Sequence, residues 1–208
     1  VSGNVSFYNG TNKKNISPTP VIGGVGLIQK LKKPMNHKFK KENSIILIVG
    51  KTFGHLEQSV FLEEIYSILD GQPPEINLVN EKNNGLATLR LIKENLVISA
   101  HDISSGGMLV SLAEMSISSG LGLKIFKPKK FINSLEYFFG EDQGRYLIEI
   151  SKDNQKKIEK YLKTNNIFFE IVAEVQNDTF EMEKTFSLKT KELQNCNNKW
   201  YSKFNATN

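Results

Sequence analysis

One cysteine, Cys196, stands in 208 residues. An internal disulfide is excluded, and a cysteine-based zinc site has too few ligands. The scarcity fits a reducing compartment, so a cytoplasmic protein is expected. No run of about 18 apolar residues occurs, which removes a helical membrane span. The opening residues carry no basic-then-apolar pattern, and no secretory leader is expected there. Tryptophan occurs once and histidine three times. His37 and His55 have no acids or thiols at ligand spacing and are expected on the surface. Trp200 and Tyr201 are expected to anchor a terminal helix.

What is present is ordinary in amount and uneven in place. Lys and Arg outnumber Asp and Glu by 27 to 22, a net charge of +5. The densest basic stretch, Lys30 to Lys41, holds a proline and little aromatic interleaving. It therefore lacks the stacking surface that single-stranded nucleic acid requires and suits a solvated linker. Neither nucleic acid nor membrane is an expected partner. A hydrophobic fraction of 39% and a charged fraction of 24% describe a globular chain. The length suffices for one full core and a tail from a neighbouring domain.

The organisation changes at the basic stretch, and a domain boundary is expected there, between residues 1–33 and 34–208. Before it, Ser17-Pro18-Thr19-Pro20 is a rigid extended turn, and Val21 to Ile28 suits a buried strand with close backbone approach at its glycines. After it, strands alternate with helices. Ile45–Val49 is a continuous apolar run of strand length ended by Gly50. Leu56, Val60, Phe61, Ile65, Ile68 and Leu69 recur at helical spacing up to Gly71 and Pro73-Pro74. A second helix carries Leu86, Leu89 and Ile92, and Leu96 to Ala100 is a further strand. A helix over 108–118, a strand over 146–150, a Lys-rich helix over 153–164 and a strand over 168–175 complete the pattern. The fold class is α/β (α+β), a mixed sheet layered with helices.

Several stretches could carry chemistry. Gly50-Lys51-Thr52 follows a strand, but a phosphate loop needs a glycine where Ile45 stands, so that reading fails. His101-Asp102-Ile103-Ser104-Ser105-Gly106-Gly107 joins a strand to a helix. Paired glycines at a helix N-terminus favour an anion, but the reading preferred from the residues is a sharp turn held by Asp102 and Ser104. His101 and Asp102 are not expected to form a catalytic pair, because adjacent residues on a strand end point in opposite directions. Phe139-Gly140-Glu141-Asp142-Gln143-Gly144-Arg145 suits either a polar ligand or a turn in which Arg145 neutralises Glu141 or Asp142. The opening run, Val1-Ser2-Gly3-Asn4-Val5-Ser6-Phe7-Tyr8-Asn9, offers close backbone approach at Gly3, a hard amide oxygen at Asn4 and a hydroxyl at Ser6. A capped Gly-Asn turn explains the same residues.

The order of these runs is more specific than any one of them. The opening run, then Thr19-Pro20-Val21-Ile22-Gly23, His101-Asp102-Ile103-Ser104 with Gly106-Gly107, and Phe139-Gly140-Glu141-Asp142-Gln143 resemble the C-terminal part of the phosphoribosylformylglycinamidine synthase family, within the PurM-like (AIR synthase-like) superfamily. The likeness spans nearly the whole chain. It implies a PurM-like C-terminal domain preceded by a strand segment from the adjacent ATP-binding domain. It implies an ATP- and Mg²⁺-dependent ligase of purine biosynthesis. That enzyme activates the amide oxygen of formylglycinamide ribonucleotide, and ammonia derived from glutamine then displaces phosphate.

By position in the family motif, Gly3 is implied to contact ATP, Asn4 to ligate Mg²⁺ and Ser6 to contact the substrate. No catalytic residue is implied within the chain. Glu141, Asp142 and Gln143 are implied to be the pseudo-symmetric copy of a substrate-contacting turn. Ser105 stands where relatives carry an acid, which removes any role needing that charge. A glutaminase subunit and a small bridging subunit are the implied partners of the small bacterial form. Because the family's catalytic histidine and remaining metal carboxylates belong upstream, the chain alone is expected to be inactive. The alternatives are a non-catalytic interaction module and another ATP-using relative.

Overall fold

The computed structural model describes residues 10–11, 14–15, 23–28, 34–128 and 133–206. The chain divides into two compact units, Val1–Pro34 and Met35–Asn208. In the first, β1 (Gly10–Thr11) pairs antiparallel with β2 (Lys14–Asn15). The buried strand expected over Val21 to Ile28 does not form across its described part. Residues 23–28 are irregular, and Val25 and Leu27 are fully exposed. A run with three glycines has too few side chains to bury against a neighbour, and its apolar content alone does not make a strand.

The second unit is built, in chain order, from β3 (Ile45–Val49), α1 (Val60–Tyr66), α2 (Leu78–Lys93), β4 (Ser99–Asp102), α3 (Gly107–Ser119), β5 (Gly122–Ile125), α4 (Ser134–Phe139), β6 (Tyr146–Ile150), α5 (Gln155–Thr164), β7 (Phe169–Gln176), β8 (Thr179–Met182), β9 (Phe186–Lys189) and α6 (Thr190–Ala206). Seven strands form one sheet in the order β4-β6-β3-β7-β5-β8-β9. Every pairing is antiparallel except β5 with β8.

The sheet is covered on both faces, which explains why its inner strand β3 is apolar at every position. Ile46 and Ile48 join a core with Met108, Leu112 and Met115 of α3 and Phe138 of α4. Ile45, Leu47 and Val49 alternate to the opposite core, with Leu91 of α2 and Ile158 and Leu162 of α5. A half-solvated strand would instead have alternated apolar with polar.

Two helices differ from expectation in their buried face. α1 has the apolar spacing of a packed helix, yet none of its residues is buried. It ends at Tyr66, five residues before Gly71, where Ser67 adopts a left-handed cap. In α2 the buried positions are Asn84, Ala87, Thr88 and Leu91, whereas Leu86 and Leu89 are exposed. The small residues Ala87 and Thr88 let that face approach the sheet, and the larger leucines are turned away. β4 begins three residues later than the apolar run starting at Leu96, because its pairing with β6 starts at Ser99 and Glu149. Trp200 and Tyr201 lie in α6 but are mostly exposed, so they do not anchor it. α6 is held instead by Leu193 against the core and by Gln194, which donates to the Ile117 carbonyl (2.9 Å).

Candidate functional site

Gly3, Asn4 and Ser6 lie outside the described residues. The remaining candidates converge where the end of β3, the start of α3 and the turn before β6 meet. Gly50 (φ 100°) turns the chain out of β3, and its N–H donates to the Phe168 carbonyl (2.9 Å). The three N–H groups that follow Thr52, of Phe53, Gly54 and His55, all point at one carboxylate. Asp142 accepts them at 2.9, 2.9 and 3.2 Å. Successive backbone N–H groups of this kind form an anion nest. Here the nest is filled by the protein's own aspartate.

Glu141 does the same at two helix starts. One of its carboxylate oxygens accepts from the Gly106 N–H (2.7 Å), at the N-cap of α3, and from the Val60 N–H (2.8 Å), at the first residue of α1. No side chain of the His101–Gly107 loop caps α3; Gly106 and Gly107 are both left-handed (φ 82° and 71°), and the anion comes from across the site. A Cβ on Gly107 would sit 2.7 Å from the Phe139 backbone, so glycine there serves a close approach as well as a dihedral angle.

Arg145 completes the cluster. It is 1% exposed, donates through Nε to the Asp142 carbonyl (3.0 Å), through Nη1 to the Thr52 hydroxyl (3.2 Å) and through Nη2 to the Gly140 carbonyl (2.6 Å). Its guanidinium lies 3.6 Å from the Asp142 carboxylate. Burial pulls its pKa below the ordinary value, and the charges of Asp142, Tyr137 and Glu141 oppose that pull. Of the two readings open in the sequence, the neutralised turn is the one formed. Thr52 likewise holds Arg145 and is not part of a phosphate loop.

Only Gln143 of the Glu-Asp-Gln turn is exposed without a hydrogen-bond partner among the described residues. It lines two clefts. One, of about 370 Å³, is bordered by Glu81, Asp102, Ser104, Ser105 and Tyr146; the other, of about 480 Å³, by Lys51, Phe53, Asn80, Asn84 and Phe168. The first is lined by the carboxylates Glu81, Asp102 and Glu141 and by one buried, committed arginine, which opposes phosphate. Among the described residues no group of three or more His, Cys, Asp or Glu could hold a metal ion.

The histidines have partners that their spacing did not indicate. His101 does meet Asp102, through Nδ1 at 3.2 Å, and its Nε2 faces Glu114 at 3.1 Å. At the strand end the side chains can fold back along the edge, so alternation does not separate them. His37 is half-buried at the surface. Its ring lies 5.1 Å from that of His101, and its Nε2 is 2.8 Å from the Ser118 hydroxyl. Burial and the neighbouring His101 lower its pKa, with Glu114 opposing and Lys38 adding to the fall. His55 is also half-buried and bonded through Nε2 to the Gln72 carbonyl (2.8 Å).

One group went unseen in the sequence. Glu149 of β6 is fully buried and accepts from the N–H groups of Lys40 and Lys41 and from the hydroxyls of Ser44 (2.8 Å) and Ser99 (2.7 Å). The only available signal was a charge inside an otherwise apolar strand run.

The chain is similar to known proteins in sequence and in fold. The family described as AIR synthase related protein, C-terminal domain, matches residues 41–183. The chain is 43% identical over 204 residues to phosphoribosylformylglycinamidine synthase subunit PurL of Pelagibacter ubique, covering 98% of the chain and 28% of that relative. The fold is similar to that of T. maritima PurL complexed with FGAR (TM-score 0.63, 20% identity, 77% of this chain and 29% of that one). It is also similar to T. maritima PurL complexed with ATP (TM-score 0.58, 19% identity, 77% and 27%).

Proposed function

The chain belongs to the family of the AIR synthase related protein C-terminal domain, and from that premise we propose that it is the C-terminal portion of a phosphoribosylformylglycinamidine synthase. The 43% identity to a PurL subunit across 98% of the chain carries this reading. The parent reaction is the ATP-dependent conversion of formylglycinamide ribonucleotide and glutamine-derived ammonia to formylglycinamidine ribonucleotide. A glutaminase and a small bridging subunit are the proposed partners, in keeping with the relative's being named a subunit.

Within this proposal Gly3 brings its backbone against ATP, Asn4 offers an amide oxygen to Mg²⁺ and Ser6 donates its hydroxyl to the substrate. The donor chemistry fits the ion, since an uncharged amide oxygen is a hard ligand. When bound, Mg²⁺ would supply charge neutralisation at the phosphates. Residues 35–208 take a supporting role, because the two anion-binding backbone positions at their centre are already filled by Glu141 and Asp142. The chain spans 28% of the matched relative, and by itself it is proposed to be inactive.

The test is ADP release by the full-length parent in the presence of Mg²⁺, ammonia and formylglycinamide ribonucleotide. Substrate-dependent turnover that is lost in Asn4→Ala, with none from the 208-residue chain, supports the reading. A parent that makes no ADP in response to that substrate overturns it.

A further inference from the structure

The stretch from α1 to the start of α2 is ordered without being buried. Its backbone is held from the preceding loop: Gln58 donates through its side chain to the Gly71 carbonyl (3.1 Å), Glu57 accepts from the Gln72 N–H (2.7 Å), and His55 bonds the Gln72 carbonyl. α1 itself is pinned by Glu141 at Val60 and by Phe61, whose ring stacks on Phe139 at 4.5 Å. With the backbone so fixed, Ile65, Tyr66, Leu69, Ile76, Leu78 and Val79 are each between 55% and 74% exposed. A monomer rarely holds that much apolar side chain in solvent on an ordered segment.

The charge around it is one-sided. Between Thr52 and Glu81 stand six carboxylate residues and none of the 27 Lys and Arg residues of a chain whose net charge is +5. Chance scatter would have placed several cations there. Apolar side chains set among acids match a partner surface with an apolar centre and a basic rim, since like charge at such a rim would be repelled.

We propose that residues 60–79 form a docking face, covered in the intact molecule by an apolar, Lys- and Arg-rimmed surface of the remaining PurL-type polypeptide. The proposal rests on the reading of the chain as part of such a protein, most of whose length lies outside the match. The face explains why α1 has helical apolar spacing and no buried residue among the described residues.

Hydroxyl-radical footprinting of Tyr66, Leu69 and Leu78, in the 208-residue chain and in the full-length parent, tests it without requiring turnover. Oxidation is expected to fall several-fold in the parent, and Leu69→Arg is expected to restore it there while leaving the melting temperature of the 208-residue chain unchanged. Equal oxidation in both forms overturns the proposal. So does protection already present in the 208-residue chain, whether concentration-dependent, as self-association requires, or constant, as cover by residues 1–34 requires. A parent that is protected but inert would overturn the proposed function and leave the docking face standing.

Discussion

Asp142 and Arg145, three residues apart and both buried, face each other at 3.6 Å, and each also bonds the loop after β3, Asp142 through backbone N–H groups and Arg145 through a side-chain hydroxyl. Asp142 reaches the turn after β3, and Arg145 reaches Thr52 and Gly140. The pair is thus a clamp between the loop after β3 and the turn before β6. Asp142→Ala leaves a buried guanidinium and three N–H groups without their anion. It is expected to cost about 3–5 kcal/mol in urea denaturation, with Asp142→Asn losing less.

Glu141 joins the starts of α1 and α3 through one oxygen. Glu141→Ala is expected to lower global stability by about 1–2 kcal/mol. Hydrogen exchange should resolve the effect locally. Val60 should lose protection more than the core amides of α3, because α1 has no buried residue to retain it.

Glu149→Ala removes the acceptor shared by Ser44, Ser99 and two backbone N–H groups. The expected loss is about 3–5 kcal/mol, and Glu149→Gln should recover part of it, since its amide oxygen still accepts. Equal losses for the two variants would show that the four donors do not need the carboxylate geometry.

His37 supplies a pH dependence. Its pKa is lower in the folded protein than its ordinary value of 6.5, so the unfolded chain binds the proton more readily. Its contribution is therefore fully present above pH 6.5 and is lost as pH falls through the lower folded pKa. His37→Gln is expected to flatten that part of the stability profile measured by thermal melts between pH 7.5 and pH 5.

The two faces of α2 give a paired comparison. Leu91→Ala, in the core, is expected to cost about 2–5 kcal/mol, and Leu86→Ala, on the exposed face, to stay within about 0.5 kcal/mol.

Much of this was legible in the order of residues. The apolar runs at Ile45–Val49 and Tyr146–Ile150 coincide with β3 and β6, because a strand buried on both faces leaves a nearly continuous hydrophobic record, broken in β6 only by Glu149. The Lys-rich helix is also where its pattern put it, as α5. The order of the opening run, the Thr-Pro-Val-Ile-Gly run, the His-Asp-Ile-Ser run and the Gly-Glu-Asp-Gln run was enough to indicate the family, which needs no geometry at all.

What the sequence left open was decided by contacts between distant residues. Periodicity located α2 by Leu86, Leu89 and Ile92, of which only Ile92 packs against the core, since hydrophobic spacing does not record which side chains are small enough to approach a sheet. The glycine pair at the start of α3 suggested a place for an anion. Only the tertiary structure showed that Glu141, brought from 35 residues away, fills it, and that Asp142, 89 residues away, fills a second one after Thr52. Local pattern is written by each residue's own preferences. The identity of a partner is set by how the chain closes on itself, and that information is not local.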